Sequence, residues 1–152
     1  MNLELKVIPP AQLLIAAGLM FALATRFPQY NLYITHHLVI SIVFVIVGSV
    51  IGLLALYDFH KHQTTFHPHT PEKTRTVVDS GVFAYSRNPM YLALIITLLA
   101  LAVYLQNYVC LIIIPLFIRY ITKYQIIPEE EMLNKLFPNH YQAYCKKVRR
   151  WL

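Results

Sequence analysis

The stretch SGVFAYSRNPMY, residues 80–91, runs directly into an apolar segment, residues 92–105. Asn88 and Pro89 favour a turn or the start of a helix, and Arg87 adds a positive charge. Charge and irregular backbone are costly where water gives way to lipid, and a simple membrane anchor needs neither. This polar stretch at the entrance to an apolar helix therefore predicts a site built at the membrane surface.

The composition is that of a membrane protein. Of the 152 residues, 57% are hydrophobic and only 13% are charged, whereas a soluble domain carries about 25% charged residues. The formal net charge of +6 suits nucleic acid or anionic lipid. Given the hydrophobicity, we expect membrane lipids as partners and no nucleic acid. Cys110 in an apolar run and Cys145 in a basic tail do not indicate a disulfide framework.

Four apolar runs predict four transmembrane helices in an all-α integral membrane protein. They cover residues 7–24, 38–57, 90–105 and 108–121. The first two approach the roughly 20 residues that span a bilayer, whereas the last two are short enough to be re-entrant instead. Gln106-Asn107 separates the third and fourth runs as a tight polar turn, so we expect these two helices to form a hairpin. The first run lacks a cleavage site and is predicted to be a retained helix.

The distribution of positive charge predicts the orientation. Four Lys and Arg residues lie in the loop 58–89 and six follow the fourth run, whereas the loop between the first two runs has only Arg26. The positive-inside rule places the loop 58–89 and the C-terminal tail in the cytoplasm. With four spans, both termini are then cytoplasmic.

The C-terminal tail has the pattern of two short amphipathic helices. Pro128 begins the first, and three carboxylates follow it, where they favour the helix dipole. Pro138 interrupts the pattern, after which Tyr141, Tyr144 and Val148 continue it at helical spacing. We expect both helices to lie on the cytoplasmic face of the membrane.

The histidines of the loop do not form a convincing metal site. His60, His62, His67 and His69 are irregularly spaced, and neither a cysteine nor a helical i, i+4 pair supports them. We predict a solvated loop 60–69 and no metal.

The polar stretch before the third run and the charges of the tail each allow two interpretations. Asn88 as N-cap and Pro89 in the first turn describe an ordinary helix start, yet its unpaired amides also suit an anionic ligand group. Tyr85 and Tyr91 add aromatic surface at the same level. For Glu130 and Arg150, dipole capping by the acid and headgroup contact by the base are favoured over a functional role when the two charges are taken alone.

Two further charges lie near the apolar runs. Arg119 interrupts the fourth run, where an ionisable residue is either functional or reaches the nearby membrane surface. Asp58, at the end of the second run, is expected to pair with Arg119 or with a loop lysine. The sequence contains only 4 glycines and no nucleotide-binding glycine fingerprint, so any cofactor must be held by side chains and helix ends.

Two groups of motifs resemble the isoprenylcysteine carboxyl methyltransferases and their small bacterial relatives. The first comprises TFHPHTP at 65–71, VDSGVF at 78–83 and SRNPMY at 86–91. The second is the tail pattern that begins with Glu129-Glu130 and ends with Arg150. The resemblance covers roughly residues 60–150, and the related phospholipid methyltransferases share much of the pattern.

The resemblance implies a single membrane-embedded domain, residues 1–152, that uses S-adenosylmethionine without a Rossmann fold. It implies a lipophilic or lipidated substrate that enters from the bilayer, in a bacterial inner membrane. The implied cofactor-binding residues are Arg87, Asn88 and Tyr91, with Tyr85, Gly81 and His67 beside them. The implied catalytic residues are Glu130, which holds the cofactor or orients Arg150, and Arg150, which lies beside the acceptor.

The favoured acceptor is a carboxylate, which is already an anion and needs orientation by an arginine and no base. Methyl transfer from a sulfonium needs no metal, because positioning and electrostatics supply most of the catalysis. A lipid amine or a small thiol is the alternative acceptor, and Glu130 is the nearest candidate base for an amine. A non-catalytic membrane scaffold or binding subunit is the alternative outside enzymes. The sequence does not indicate an oligomeric state.

Overall fold

The computed structural model describes residues 8–61 and 77–152, and this part of the chain is helical and contains no strand. The six α-helices are α1 (Pro9–Arg26), α2 (His37–Lys61), α3 (Pro89–Leu105), α4 (Ile113–Ile121), α5 (Ile127–Leu136) and α6 (Pro138–Lys147). Short 3-10 turns occupy Pro28–Tyr30, Gly81–Ala84 and Tyr108–Ile112, and a π-helical turn occupies Thr122–Ile126. The predicted all-α class is confirmed for these residues.

Two helices are long and apolar enough to cross a membrane. They are His37–Lys61, which is α2, and the continuous helix Tyr108–Leu136. In α2, large side chains such as Leu38, Val43 and Leu53 are exposed, as expected of a surface that faces lipid. By length and composition these two helices are the candidate membrane spans of the described residues, whereas the four-span arrangement stays a prediction.

The helix that carries the fourth apolar run is longer than predicted. It does not end at Ile121 but continues through the π-helical turn into α5, as far as Leu136. The π turn directly precedes Pro128, whose missing N–H and bulky ring do not fit a regular α-helical turn. The first predicted tail helix is therefore the end of a long helix. The second is α6, which starts at Pro138 after Phe137 leaves the helical conformation.

Helix α3 makes its most extensive contacts with α2, whereas the hairpin of the third and fourth helices stays a prediction. The two helices run antiparallel, and Ser41 Oγ donates to the Ala100 carbonyl at 2.8 Å. A side chain at Gly48 would lie 3.1 Å from the Ala93 carbonyl oxygen. Small residues let apolar helices approach this closely, because lipid-facing helices gain stability from van der Waals packing.

Two clusters of buried side chains connect the helices and the segment before α3 to the C-terminal segment. The largest includes Met20, Leu98 and Ile121, and Trp151 packs against it. A second cluster joins α6 to the start of the second described range through Val77 and Tyr144. The C-terminal residues are thereby held beside the start of α3, although they are far from it in sequence.

Candidate functional site

The segment before α3 pairs with the C-terminal segment. Arg87 N donates to the Arg149 carbonyl at 3.0 Å. Asn88 Nδ2 donates to the Arg150 carbonyl at 2.9 Å, and Ser86 Oγ reaches the same oxygen at 3.4 Å. These contacts bring the two motif groups predicted from the sequence to one place.

Asn88 occupies the N-cap position of α3, as predicted, but its side chain forms no capping hydrogen bond. The side-chain amide of Asn88 instead donates to the Arg150 carbonyl. The backbone N–H of Asn88 donates to Ser86 Oγ at 3.2 Å. Pro89 occupies the first turn of α3, where its missing N–H leaves no helical hydrogen bond unmade. The helix start is therefore set by the proline, and the asparagine side chain is committed to a tertiary contact.

Glu130 joins the two arginines that the sequence analysis singled out. Arg150 donates from Nε to Oε1 at 3.1 Å and from Nη2 to Oε2 at 2.6 Å, which is a bidentate pair. Arg87 Nη2 approaches Oε1 of the same carboxylate at 3.1 Å. The hydrogen bonds to Glu130 raise the pKa of the Arg150 guanidinium above its usual value. Three charged side chains from three parts of the chain thus form one cluster.

The cluster has an excess of positive charge. Two guanidiniums share one carboxylate, and the Arg87 and Glu130 side chains are only 14% and 17% exposed. Arg150 is 38% exposed and is the more accessible arginine. Within residues 8–61 and 77–152, the buried Nε of Arg87 has no hydrogen-bond acceptor. A ligand that carries a carboxylate therefore fits the charge of this cluster better than a cation does.

The neighbouring carboxylate, Glu129, belongs to a separate contact. Its Oε1 accepts a hydrogen bond from Tyr91 OH at 2.7 Å, and Tyr91 is buried in the first turns of α3. From the sequence, Glu129 was expected to favour the helix dipole and was not predicted to be a site residue. The available signal was its place next to Glu130 in the tail pattern.

Helix α6 forms one wall of the site. Burial raises the pKa of both Tyr141 and Tyr144, so both phenols stay protonated at neutral pH. Tyr144 OH donates to the Phe83 carbonyl at 2.7 Å. The Cys145 thiol contacts Arg87 Nη1. These contacts hold α6 against the segment that leads into α3.

An open groove of about 370 Å³ lies between α5 and α6. Its lining residues are Glu130, Glu131, Asn134, Tyr141, Gln142, Cys145 and Lys146. The groove surface is mostly apolar, and Glu130 connects it with the polar arginine cluster. A small polar ligand group can therefore reach the cluster from the side of α6.

Three of the predicted cofactor-binding residues lie apart from the cluster or outside the described part. Tyr85 is 78% exposed. Gly81 adopts the left-handed conformation, with φ of 61°, and lies against Asp58. His67 falls in the range 62–76, which lies outside the described residues. The structure therefore brings together Arg87, Asn88 and the two predicted catalytic residues, with Tyr91 nearby.

The other charges named in the sequence analysis lie elsewhere. Arg119 is exposed on α4, and Asp58 accepts a hydrogen bond from Val82 N at 3.0 Å. Among residues 8–61 and 77–152, no group of three or more His, Cys, Asp or Glu side chains is arranged to hold a metal ion. Most of the histidine-rich loop lies outside these ranges.

Comparison with known proteins identifies a family. A family model described as phospholipid methyltransferase matches residues 36–140. An uncharacterized protein of Haemophilus influenzae is 41% identical over 63 residues, which cover 41% of this chain and all of that relative. No solved structure matches. The family includes the isoprenylcysteine carboxyl methyltransferases, so the predicted resemblance is confirmed, and the match indicates a methyltransferase that acts at a membrane.

Proposed function

Because the chain belongs to the phospholipid methyltransferase family, we propose that it transfers a methyl group from S-adenosylmethionine to a lipophilic acceptor at the cytoplasmic membrane face. We favour a carboxylate acceptor, as in isoprenylcysteine carboxyl O-methylation. The observation that carries the proposal is the cluster in which Arg87 and Arg150 share Glu130 at the start of α3. This cluster carries more positive than negative charge at the start of the apolar helix α3.

The residues of the cluster fit a cofactor that carries a carboxylate. The methionyl part of S-adenosylmethionine has such a group, and the buried Arg87 Nε lacks an acceptor within the described ranges. Arg87, Asn88 and Tyr91 would hold the cofactor, which supplies the methyl group when it is bound. Gly81, Tyr85 and His67 belong to the same proposal through the motif resemblance alone.

Arg150 is the residue that we assign to the acceptor. Glu130 occupies its Nε and Nη2 side, so the outer edge formed by Nη1 and Nη2 is the one that suits an acceptor carboxylate. A guanidinium is planar, and an edge held by Glu130 fixes the direction of the other edge. Glu130 would therefore orient Arg150, and Arg150 would orient the acceptor and exclude competing poses.

An amine acceptor is the second candidate, and one observation bears on it. A protonated amine needs a base, yet both oxygens of Glu130 already accept hydrogen bonds from guanidiniums. Glu129, which accepts a single hydrogen bond from Tyr91, would be the better base. We therefore assign the base to Glu129 in this alternative.

The location follows from the charge pattern and the apolar helices. We propose a bacterial inner membrane, with both termini and the arginine cluster on the cytoplasmic side. The exposed Lys146, Lys147 and Arg149 of the tail would then contact anionic headgroups. A lipophilic acceptor would reach the cluster from the bilayer that surrounds the apolar helices.

Calorimetry on the purified protein, in detergent and in lipid, tests the proposal. It should detect binding of S-adenosylmethionine and of S-adenosylhomocysteine, and absence of binding by both would reject it. Mass spectrometry of a membrane lipid extract, incubated with the protein and an isotopically labelled methyl donor, would then name the acceptor. A labelled methyl ester supports a carboxylate, whereas a labelled amine or thioether supports the alternatives. A non-catalytic scaffold predicts no labelled product.

A further inference from the structure

Asp58 is a buried carboxylate at the end of the apolar helix α2. Its Oδ2 accepts a hydrogen bond from the backbone N–H of Val82 at 3.0 Å. Burying a carboxylate next to an apolar helix is unfavourable unless hydrogen bonds compensate for the lost water. The proposed reaction assigns no role to Asp58 and therefore does not explain why this carboxylate is buried.

The contact with Gly81 shows how closely Asp58 is fitted to the turn Gly81–Ala84. Gly81 has φ of 61°, which other L-residues rarely adopt. A Cβ at this position would collide with the carboxylate group of Asp58. The carboxylate and the turn can occupy this arrangement only because position 81 has no side chain.

The turn connects Asp58 to the arginine cluster. Phe83 in the turn is buried against Ala55 of α2, and its carbonyl accepts the hydrogen bond from Tyr144 OH. The chain then passes through Ser86 to Arg87, whose side chain meets Glu130. Asp58 thus holds one end of the short segment 81–87, and the other end of this segment carries Arg87 of the cluster.

We infer that Asp58 is a positioning residue, which holds the turn Gly81–Ala84 on α2 and thereby sets Arg87 for cofactor binding. The inference rests on the proposed function. Asp58 acts through the backbone of Val82 and touches neither the cofactor nor the acceptor. Arg150 depends less on the turn, because its guanidinium donates two hydrogen bonds to Glu130 of α5.

Calorimetric titration with S-adenosylhomocysteine tests this role. Asp58→Ala should weaken binding by roughly tenfold, since it removes the acceptor of the partly buried Val82 N–H. Asp58→Asn keeps an acceptor oxygen of the same size and should recover most of the affinity. Turnover at saturating methyl donor, measured as label incorporated into membrane lipid extract, should change by less than about twofold in Asp58→Ala, because Arg150 keeps its own anchor.

A double-variant cycle separates this mechanism from general destabilisation. Gly81→Ala should displace the carboxylate and weaken binding by a factor similar to that of Asp58→Ala. The double variant should then bind only about as weakly as each single variant, because both changes break the same contact. Gly18→Ala is the matched control, since nothing lies within 4 Å of a Cβ there, and it should bind like the wild type.

Hydrogen exchange adds a readout that needs no ligand. The Val82 amide should exchange faster in Asp58→Ala than in the wild type, and Asp58→Asn should restore its protection. The inference is overturned if the wild type binds S-adenosylhomocysteine and Asp58→Ala binds it equally well, or if the two factors multiply in the double variant. If the wild type does not bind, the proposed function fails first, so the two failures are distinguishable.

Discussion

The two ends of α3 are built from the same kind of residue and differ in charge. At the start, Asn88 is buried and its amide meets the Arg150 carbonyl, next to two arginines and a glutamate. At the other end, Asn107 is buried and its amide donates to the Phe27 carbonyl at 2.9 Å and to Asn31 Oδ1 at 2.8 Å. These hydrogen bonds of Asn107 join neutral groups.

The far end shows what a merely structural helix terminus requires. Gln106 ends α3 in the left-handed conformation, with φ of 50°, and its carbonyl accepts from Leu32 N at 2.6 Å. Asn107 Oδ1 accepts from Val109 N at 3.0 Å. Amides and backbone groups thus suffice to close a buried helix end. The charges at the other end exceed that need, and this surplus is the reason to assign the site there.

Removal of Glu130 should have the largest effect. Glu130→Ala leaves the largely buried guanidinium of Arg87 and the partly exposed guanidinium of Arg150 without their shared carboxylate. The loss is roughly 3 kcal/mol, at the low end for a buried pair, because solvent screens Arg150. We expect affinity for S-adenosylhomocysteine to fall by about a hundredfold or more, as measured by calorimetry. Lys135→Ala, at an exposed position of the same helix that does not line the groove, is the control and should bind normally. If Glu130→Ala binds S-adenosylhomocysteine almost normally, the charged start of α3 has only a structural role, like its neutral end.

The two arginines should differ in the step that they affect. Arg150→Ala should leave cofactor affinity nearly intact and lower turnover by roughly tenfold or more, about 1.4 kcal/mol for a charge-assisted contact made in the transition state. Arg87→Ala should mainly weaken cofactor binding. Arg150→Lys should keep part of the activity, because an ammonium lacks the planar fork. Full activity of Arg150→Lys, or loss of cofactor binding in Arg150→Ala, would contradict these roles.

The two asparagines test the comparison directly. Asn107→Ala leaves several buried groups unpaired and should lower stability by about 1–3 kcal/mol, without changing turnover per folded molecule. Asn88→Ala removes one side-chain hydrogen bond, so it should destabilise less but weaken cofactor binding severalfold. Thermal unfolding in detergent and calorimetry measure the two effects. A large activity loss in folded Asn107→Ala would mean that the neutral end also contributes to function.

Tyr85 should show the smallest effect. Its side chain is 78% exposed, so Tyr85→Ala should change cofactor affinity by less than about twofold, as exposed substitutions usually do. Calorimetry with S-adenosylhomocysteine checks this. A tenfold loss would show that the cofactor extends over Tyr85, as the motif resemblance implies.

Local sequence patterns predicted the helices better than they predicted the contacts. The third apolar run became α3 with its start at Pro89, because proline and hydrophobic periodicity act within a few residues. The sequence left the end of the fourth helix open, and the structure continues it beyond Ile121 through the π turn before Pro128. The predicted capping role of the Asn88 side chain was wrong, since a distant carbonyl competes for its amide.

The sequence by itself determined the membrane character, the positions of most helices and the two motif groups. Composition, the length of apolar runs and the positions of prolines determine helices through local interactions, which do not depend on how distant parts of the chain pack. Only the tertiary structure decided that Glu130 is shared by Arg87 and Arg150, and that Glu129 belongs to Tyr91. Those pairings depend on how the long helix turns at Thr122–Ile126 and on where the C-terminal segment packs, because hydrogen bonds between distant residues form only when packing brings their atoms within about 3 Å.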